Sequence, residues 1–135
     1  MRHVSKKTAA RIAECKELRK QMVREIGRCE LCWHDPKKVR PGNVAWALHV
    51  HEIARGATRQ AALDKRYATL VLCYHCHMNR IHGNERWPET RQLAVLKTRR
   101  PKDYDLAAYN ELVGYGPDRI TDEDVCKWIK QRGES

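Results

Sequence analysis

The sequence predicts an α+β fold in which a small core of two strands and a helix is flanked by an N-terminal helix and C-terminal helices. Two Cys-x-x-Cys pairs, Cys29 with Cys32 and Cys73 with Cys76, stand on either side of residues 33–72. Two short apolar runs lie before the second pair, and apolar residues recur at helical spacing near both ends of the chain. We therefore divide the chain into a basic helix at 1–27, a core at 28–87 and a helical extension at 88–135.

The N-terminal region predicts one long amphipathic helix. Ser5 is a typical N-cap and Gly27 a typical helix end, so the helix is expected to span Lys6 to Ile26. Its apolar side chains recur every three or four positions and form a single stripe: Ile12, Cys15, Leu18, Met22 and Ile26. Basic residues cover most of the remaining surface, which predicts a solvated face.

The core predicts two strands followed by a short helix. Val44 to Ile53 is apolar with alternating histidines, which is typical of a strand, and Thr69 to Leu72 predicts a second strand. A polar connection with one helical turn near Gln60 to Leu63 joins the two. Tyr74 to His82 contains no helix breaker before Gly83 and predicts the helix that follows.

The C-terminal region predicts three helices. Pro88 suits the first position of a helix that runs through Lys97. Asp105 is expected to cap a second helix from Leu106 to Val113, which Gly114 ends. Thr121 is expected to cap the last helix, from Asp122 to Lys130, which has acidic residues in its first turn and basic residues in its last.

The net charge indicates a polyanionic partner. Lysine and arginine total 27 against 17 aspartate and glutamate, which gives a formal net charge of +10. Such an excess is self-repulsive in the folded state unless a polyanion or counterions offset it, and a nucleic-acid backbone is the usual partner. The alternative is a soluble protein that is merely basic. We favour nucleic acid.

The sequence contains no segment typical of membrane or secretory proteins. No apolar run approaches the roughly 20 residues that a membrane-spanning helix needs. Met1 to Lys7 is polar and leads into a charged helical pattern, which is unlike a signal peptide. We therefore expect no membrane partner and a cytoplasmic location. Six cysteines in a chain without a secretion signal favour metal binding over disulfides.

The two Cys-x-x-Cys pairs predict a structural zinc site formed by Cys29, Cys32, Cys73 and Cys76. Two thiolates at this spacing can turn towards one ion, and two such pairs complete a tetrahedron. Four thiolates also close the coordination shell against water, which is typical of a structural site rather than a catalytic one. The alternatives are a redox-active pair or two disulfides. Cys15 and Cys126 are single and are expected to be core residues.

The histidines lie in a recognisable order around the second cysteine pair. The relevant segments are residues 48–53 (LHVHEI), 70–73 (LVLC), 73–77 (CYHCH) and 81–83 (IHG). This order, interleaved with the two cysteine pairs, resembles the HNH family of endonucleases, small phage-type members in particular. The resemblance covers about residues 28–83. It implies a ββα-metal (HNH) core with a four-cysteine zinc site, in a bacterial or phage-infected cell.

The resemblance implies a metal-dependent endonuclease that hydrolyses DNA phosphodiester bonds with one divalent ion and a histidine-assisted water. The residues expected to take part in catalysis are His51, Glu52, His77 and His82. Imidazole can act as a base near neutral pH and also binds borderline metals. We expect His51, His77 and His82 to bound the catalytic ion, which is Mg²⁺, Mn²⁺, Ni²⁺ or Zn²⁺.

Two departures from the family pattern affect the expected roles. If the family pattern is aligned on Ile53, His51 takes the position of the metal ligand and Glu52 takes the position of the base. If the alignment is shifted by one residue, His51 becomes the base and Val50 takes the ligand position. Which of His51 and Glu52 is the base stays open. The family's middle asparagine is expected about five residues before Cys73, where this chain has Ala68.

Basic residues near the expected site predict a DNA-binding surface. They lie in the connection between the strands and at the end of the following helix: Arg55, Arg59, Lys65, Arg66 and Arg80. The alternative function is a non-catalytic zinc module that keeps the HNH shape to bind DNA or a protein partner, which Glu52 and Ala68 favour. A homodimer, or a protein partner bound through the C-terminal helices, is a further expectation.

Overall fold

The computed structural model describes residues 5–33, 47–54, 58–83, 85–114 and 119–133. It shows an α+β fold, mostly helical, with one two-stranded antiparallel sheet in the described residues. The predicted strand residues before Ala47 lie outside the described residues. No helix in the part of the chain that is described is both long and apolar enough to cross a membrane.

The first helix, α1, spans Lys6–Ile26, the bounds that the sequence pattern predicts. Gly27 follows it with φ +66°, a left-handed backbone conformation that glycine adopts without a steric penalty. Met22 of α1 is buried against Val50 and Val71 of the sheet. Helix α1 therefore covers one face of the sheet with the C-terminal part of the predicted stripe, Met22 and Ile26, whereas Ile12 and Leu18 of the stripe are exposed.

The sheet pairs β1 (Leu48–Glu52) with β2 (Thr69–Cys73) in antiparallel register. His49 lies opposite Leu72 and His51 lies opposite Leu70, so both histidines share a sheet face with these two buried leucines. Val50, on the alternate face, packs against α1, whereas Glu52 at the end of the strand pairs with Arg19 of α1 and also borders the cavity next to His51. All five residues of β2 are buried, which explains its unbroken apolar sequence.

Short helical segments connect and follow the strands. Helix α2 spans Arg59–Ala62, and a 3₁₀ turn at Arg66–Ala68 leads into β2. Helix α3 spans Tyr74–Cys76 and continues as a π-helical turn at His77–Ile81. The prediction of a regular helix from Tyr74 to His82 is therefore wrong in its second half, where backbone hydrogen bonds join residues five positions apart instead of four.

Three C-terminal helices complete the fold: α4 (Glu89–Arg99), α5 (Leu106–Leu112) and α6 (Asp122–Gly133). Asp105 caps α5 as predicted, since its carboxylate accepts a hydrogen bond from the Ala108 backbone. Pro88 is the N-cap of α4 instead of its first helical residue. Leu93 and Leu96 of α4 are fully buried in the same core as Leu70 and Leu72, so α4 covers the second face of the sheet.

Candidate metal centres

The four predicted zinc ligands lie together and form the cysteine cluster: Cys29, Cys32, Cys73 and Cys76. Their sulfur atoms all lie within 4.8 Å of one another. The Sγ atoms of Cys32 and Cys73 are 4.0 Å apart. Sulfurs at tetrahedral positions about 2.3 Å from one zinc ion are about 3.8 Å apart. Three of the four cysteines are buried and Cys32 is half-buried, so the cluster can hold a zinc ion in a closed shell.

Local backbone hydrogen bonds shape both cysteine pairs. The Cys73 sulfur caps α3 by accepting a hydrogen bond from the Cys76 backbone N–H at 3.4 Å. In the first pair, the Trp33 N–H donates to the Cys29 carbonyl at 2.7 Å, and Trp33 itself has φ +59°. These turns point the two sulfurs of each pair to the same side.

The cysteine cluster is prepared for a cation by its own hydrogen bonds. The Cys76 thiol donates to the Cys29 sulfur, which lowers the pKa of Cys29 to about 4 and raises that of Cys76. Burial raises the pKa of Cys73 to about 11. At neutral pH Cys29 is therefore a thiolate, and the thiolate is the form of cysteine that binds metals.

A buried ion pair joins the cysteine cluster to the C-terminal helices. Glu30, between Cys29 and Cys32, is fully buried, and its carboxylate accepts hydrogen bonds from the Val71 backbone at 2.8 Å and from Arg100 Nε at 2.9 Å. Arg100 follows α4 directly and is itself nearly buried. The first Cys-x-x-Cys turn is thereby held against β2 and the end of α4.

Three of the predicted site residues form the histidine cluster: His51, His77 and His82. Their ring nitrogens lie within 4.8 Å of one another. The Nε2 atoms of His77 and His82 are 3.0 Å apart. Two nitrogens each about 2.1 Å from one ion, at an angle near 90°, are also about 3.0 Å apart. His51 is buried, His77 is half-buried and His82 is exposed, so the cluster opens to solvent on the His82 side.

The π-helical turn brings His77 and His82 together. Side chains five residues apart on an α-helix point about 140° away from each other. Here the His82 backbone N–H donates to the His77 carbonyl at 3.1 Å, an i to i+5 bond that puts the two residues one above the other. Their ring centroids are consequently 4.6 Å apart.

Gly83 is required directly after His82 because the backbone packs closely there. A Cβ atom at Gly83 would lie 2.6 Å from the Met78 carbonyl oxygen, 2.7 Å from the Asn79 carbonyl oxygen and 2.9 Å from the Asn79 Cα. These are backbone atoms of the π-helical turn, which cannot move aside without altering the turn. The glycine thus allows the chain to fold back against the segment that carries both histidines.

Gln92 of α4 also belongs to the site, although no site residue was predicted among residues 88–135. Its Oε1 lies 2.8 Å from His51 Nε2, and its Nε2 donates to the Trp87 carbonyl at 2.9 Å. The side chain is only 1% exposed. One sequence signal was present: Gln92 lies three and four residues before Val95 and Leu96, on the buried face of α4.

His49, which lies two residues before His51 on β1, also contacts the histidine cluster. Its Nε2 lies 2.8 Å from His77 Nδ1. Burial lowers the pKa of His51 to about 4 and that of His77 to about 4, and it also lowers the pKa of His49. These imidazoles are therefore neutral at pH 7, which is the state in which imidazole binds a metal.

The histidine cluster lies at a cavity of about 620 Å³ between β1, the π-helical turn and α4. Glu52 and Arg59 line the same cavity. The Glu52 carboxylate is 3.6 Å from Arg19 and 3.9 Å from Arg59, and only 9% of its side chain is exposed. Arg59 is 62% exposed, so its guanidinium is accessible from the cavity mouth.

The predicted DNA-binding residues are not all at this cavity. Lys65 lies 3.7 Å from Asp64, and Arg80 lies 3.8 Å from Glu85. Arg66 donates to Glu25 of α1 at 3.1 Å and to Asp103 at 3.0 Å, which ties α1 to the loop after α4. Arg59 lines the cavity together with Arg86, and Arg55 lies outside the described residues.

Ala68, which occupies the position of the family's asparagine, is fully buried. Its carbonyl accepts a hydrogen bond from the Ile53 N–H at 2.9 Å, so the backbone joins the ends of the two strands. Asn79 is exposed, and its amide donates to the His75 carbonyl at 2.9 Å. Asn79 is therefore engaged on the outer face of the π-helical turn.

Comparisons with models of protein families, with characterised proteins and with solved structures find no match to this chain.

Proposed function

We propose that this chain is a metal-dependent endonuclease of the HNH type that hydrolyses DNA phosphodiester bonds. The observation that carries the proposal is the convergence of His51, His77 and His82 at an open cavity that also contains Glu52 and Arg59. The cluster lies between a two-stranded antiparallel sheet and the helical segment that follows it. This order of two strands and a helix supports the proposal, since a ββα-metal core is what the resemblance implies.

The donors present suit a divalent ion. Three imidazoles at this spacing would hold it, and the open side of the cluster leaves room for substrate oxygens and water. Bound there, such an ion would supply Lewis-acid stabilisation of the negative charge that develops on the phosphate and on the leaving oxygen. The ions considered are Mg²⁺, Mn²⁺, Ni²⁺ and Zn²⁺.

Glu52 is the proton acceptor we assign. The Nε2 atom of His51 faces Gln92, and we assign its other ring nitrogen to the ion, which leaves Glu52 as the proton acceptor among the described residues that line the cavity. As the water oxygen attacks phosphorus, one water proton passes to the Glu52 carboxylate. The bond between phosphorus and the leaving oxygen breaks, and the leaving oxygen takes a proton from solvent.

Arg59 is the residue we assign to the substrate phosphate. It lines the cavity beside Glu52 and is mostly exposed, so its planar guanidinium can donate to two phosphate oxygens at once. The net charge of +10 supports a nucleic-acid substrate, since contacts with phosphates would offset the self-repulsion and release condensed counterions. Zinc in the cysteine cluster has a structural role in this proposal.

Cleavage of supercoiled plasmid DNA tests the function. Protein carrying zinc at the cysteine cluster is assayed with Mg²⁺, Mn²⁺ or Ni²⁺ added separately, alongside His77→Ala and a matched His75→Ala control. His75 is exposed on the same segment and contacts Asn79 instead of the cluster. We expect nicking by the parent and by His75→Ala, and a loss of more than about a hundredfold in His77→Ala.

A second candidate function is a non-catalytic zinc module that binds DNA or a protein partner. The observation that favours it is the pairing of Glu52 with both Arg19 and Arg59, which commits the carboxylate to ion pairs. Binding of plasmid without nicking under any of the ions would establish this function in place of the nuclease. Arg59→Ala should then weaken binding, and Arg66→Ala, whose side chain is paired with Glu25 and Asp103, should change it less.

A further inference from the structure

We propose that Gln92 and His49 are positioning residues that select opposite imidazole tautomers in the histidine cluster, so that His51 presents Nδ1 and His77 presents Nε2 to the metal. The inference rests on the metal site of the proposed function and adds to it which nitrogen of each ring is the ligand. Neither residue would touch the reacting atoms. Each acts through the histidine that it contacts.

For His51, the direction of the hydrogen bond follows from the amide of Gln92. The Gln92 Nε2 group donates to the Trp87 carbonyl at 2.9 Å, which leaves Oε1 facing His51 Nε2 at 2.8 Å. A carbonyl oxygen only accepts, so His51 Nε2 carries the proton and Nδ1 keeps its lone pair. Because Gln92 is 1% exposed, solvent water does not compete for this bond.

For His77, the direction follows from a chain of hydrogen bonds that begins at the backbone. The Ala47 carbonyl accepts a hydrogen bond from the His49 ring, and His49 Nε2 is the atom that faces His77. The nitrogen of His49 that donates to Ala47 is therefore Nδ1, and its Nε2 is an acceptor. His77 accordingly carries its proton on Nδ1 and directs the Nε2 lone pair towards His82, 3.0 Å away.

Gln92 and His49 come from different parts of the chain, and they place the proton on opposite ring nitrogens of the histidines that they contact. Gln92 lies on α4, outside the strand and helix that carry the ligands, whereas His49 lies on β1 itself. A histidine in the wrong tautomer would turn an N–H towards the ion and could not bind it. Residues that orient a metal-binding histidine in this way typically strengthen metal binding about 10- to 100-fold.

Nuclear magnetic resonance of the imidazole nitrogens tests the assignment directly. The sample is the full chain with zinc at the cysteine cluster and the histidine cluster metal-free, at pH 7. Long-range ¹⁵N–¹H spectra distinguish a protonated from an unprotonated ring nitrogen. We expect the Nε2–H tautomer for His51 and the Nδ1–H tautomer for His77. The reverse assignment for either ring would overturn the proposal for that ring.

Variants then test whether Gln92 and His49 determine the tautomers of His51 and His77. Gln92→Met removes the acceptor at similar volume, and His49→Leu removes the acceptor for His77. We expect mixed tautomers at the affected histidine and an affinity for Co²⁺ or Ni²⁺ that is about 10- to 100-fold weaker. Gln92→Glu restores an acceptor and should recover the Nε2–H tautomer of His51. Unchanged tautomers and affinity in both removal variants would overturn the proposal.

Thr90→Val provides the matched control. Thr90 also lies on α4 and accepts a hydrogen bond from Trp128 at 2.9 Å, so its loss perturbs the same helix without touching the histidines. We expect parental tautomers and metal affinity in this variant. If the parent binds no ion at the histidine cluster, the proposed function fails, while the tautomers of the metal-free parent still decide the present proposal.

Discussion

The cysteine cluster and the histidine cluster differ in how they meet solvent. The cysteine cluster has three of its four ligands buried, offers four soft donors and is joined to the core by the buried Glu30–Arg100 ion pair. The histidine cluster offers three imidazole donors at the edge of a cavity, with His82 exposed. Both share the segment that runs from Cys73 to His82.

Under the proposed function, one short segment has both a stabilising role and a chemical role. Four closed ligands leave no place for a substrate, so metal binding there contributes to folding. Three ligands and an open side leave coordination positions for substrate and water. We therefore expect changes at the cysteine cluster to alter the free energy of unfolding, and changes at the histidine cluster to alter metal affinity at a largely intact fold.

The largest expected effect is the loss of the fold in Cys76→Ser. A structural zinc site contributes on the order of 10 kcal/mol, which is comparable to the whole stability of a small domain. Cys76 is buried, and serine lacks the soft donor that completes the shell. Bound zinc and the cooperativity of thermal unfolding, followed by circular dichroism, measure the change. His82→Ala is the matched control at the open cluster and should unfold cooperatively with its structural zinc bound.

A cooperative unfolding transition in Cys76→Ser at the parental temperature would contradict a structural role for the cysteine cluster. Unfolding of His82→Ala at room temperature would equally break the comparison, because it would show that the open cluster also holds the fold together.

The next effect is expected from Arg100→Met, which leaves the Glu30 carboxylate buried without its guanidinium. Breaking one side of a buried ion pair costs about 3–5 kcal/mol. Lys97→Met on α4 is the matched control, because the Lys97–Asp122 pair is exposed and is expected to contribute at most about 1 kcal/mol. Urea unfolding of the zinc-loaded proteins measures both values. Equal losses in the two variants would show that burial of the first pair is energetically unimportant.

Gly83→Ala should distort the π-helical turn at the histidine cluster. The added Cβ would meet backbone atoms at 2.6 to 2.9 Å, which should cost about 1–3 kcal/mol and displace His82. We expect weaker metal binding at the histidine cluster with zinc retained at the cysteine cluster. The measurements are metal titration and urea unfolding.

Gly114→Ala separates the effect of crowding from that of backbone strain. Gly114 has φ +76°, but beyond its chain neighbours no atom of the described residues lies within 4 Å of the position of an added Cβ. This variant should lose about 1–2 kcal/mol and keep parental affinity at the histidine cluster. Parental affinity in Gly83→Ala as well would show that the turn tolerates the extra atom.

The smallest expected effect is a pH dependence that arises at the histidine cluster. Burial lowers the pKa of His51 and of His77 to about 4, against about 6.5 in an unfolded chain. Between these values the unfolded chain binds more protons, so stability is fully present above pH 6.5 and is lost as the pH falls towards 4. Urea midpoints at pH 7 and pH 5.5, with metal bound only at the cysteine cluster, should show this loss.

His77→Gln removes one of the two titrating groups and is the control for that measurement. We expect its midpoint to change less between pH 7 and pH 5.5 than that of the parent. An equal change in both proteins would place the pH dependence outside the histidine cluster.

Local sequence patterns predicted most of the secondary structure. The bounds of α1 agree with the stripe and caps, and Asp105 caps α5 as expected, because these signals involve residues within one or two helical turns. The four cysteines were also identified, since Cys-x-x-Cys spacing restricts where two sulfurs can point. The predictions were weaker for residues that are close in space but distant in sequence.

Gln92 and Arg100 illustrate that weakness. Gln92 meets His51 across 41 positions and Arg100 meets Glu30 across 70, so no local period links either pair. Arg66 was grouped with the DNA-binding residues because of its place in the chain, whereas its partners are Glu25 and Asp103. Each outcome depends on how α1 and α4 pack against the sheet.

The sequence by itself determined the ligand types, the cysteine spacing and the alternation that puts His49 and His51 on one face of β1. The tertiary structure decided that a π-helical turn aligns His77 with His82 and that α4 supplies Gln92. The physical reason is the range of the interactions. Ligand chemistry and strand alternation are local properties of the chain, whereas the turn and the tautomers depend on packing and hydrogen bonds between segments that meet only in the folded protein.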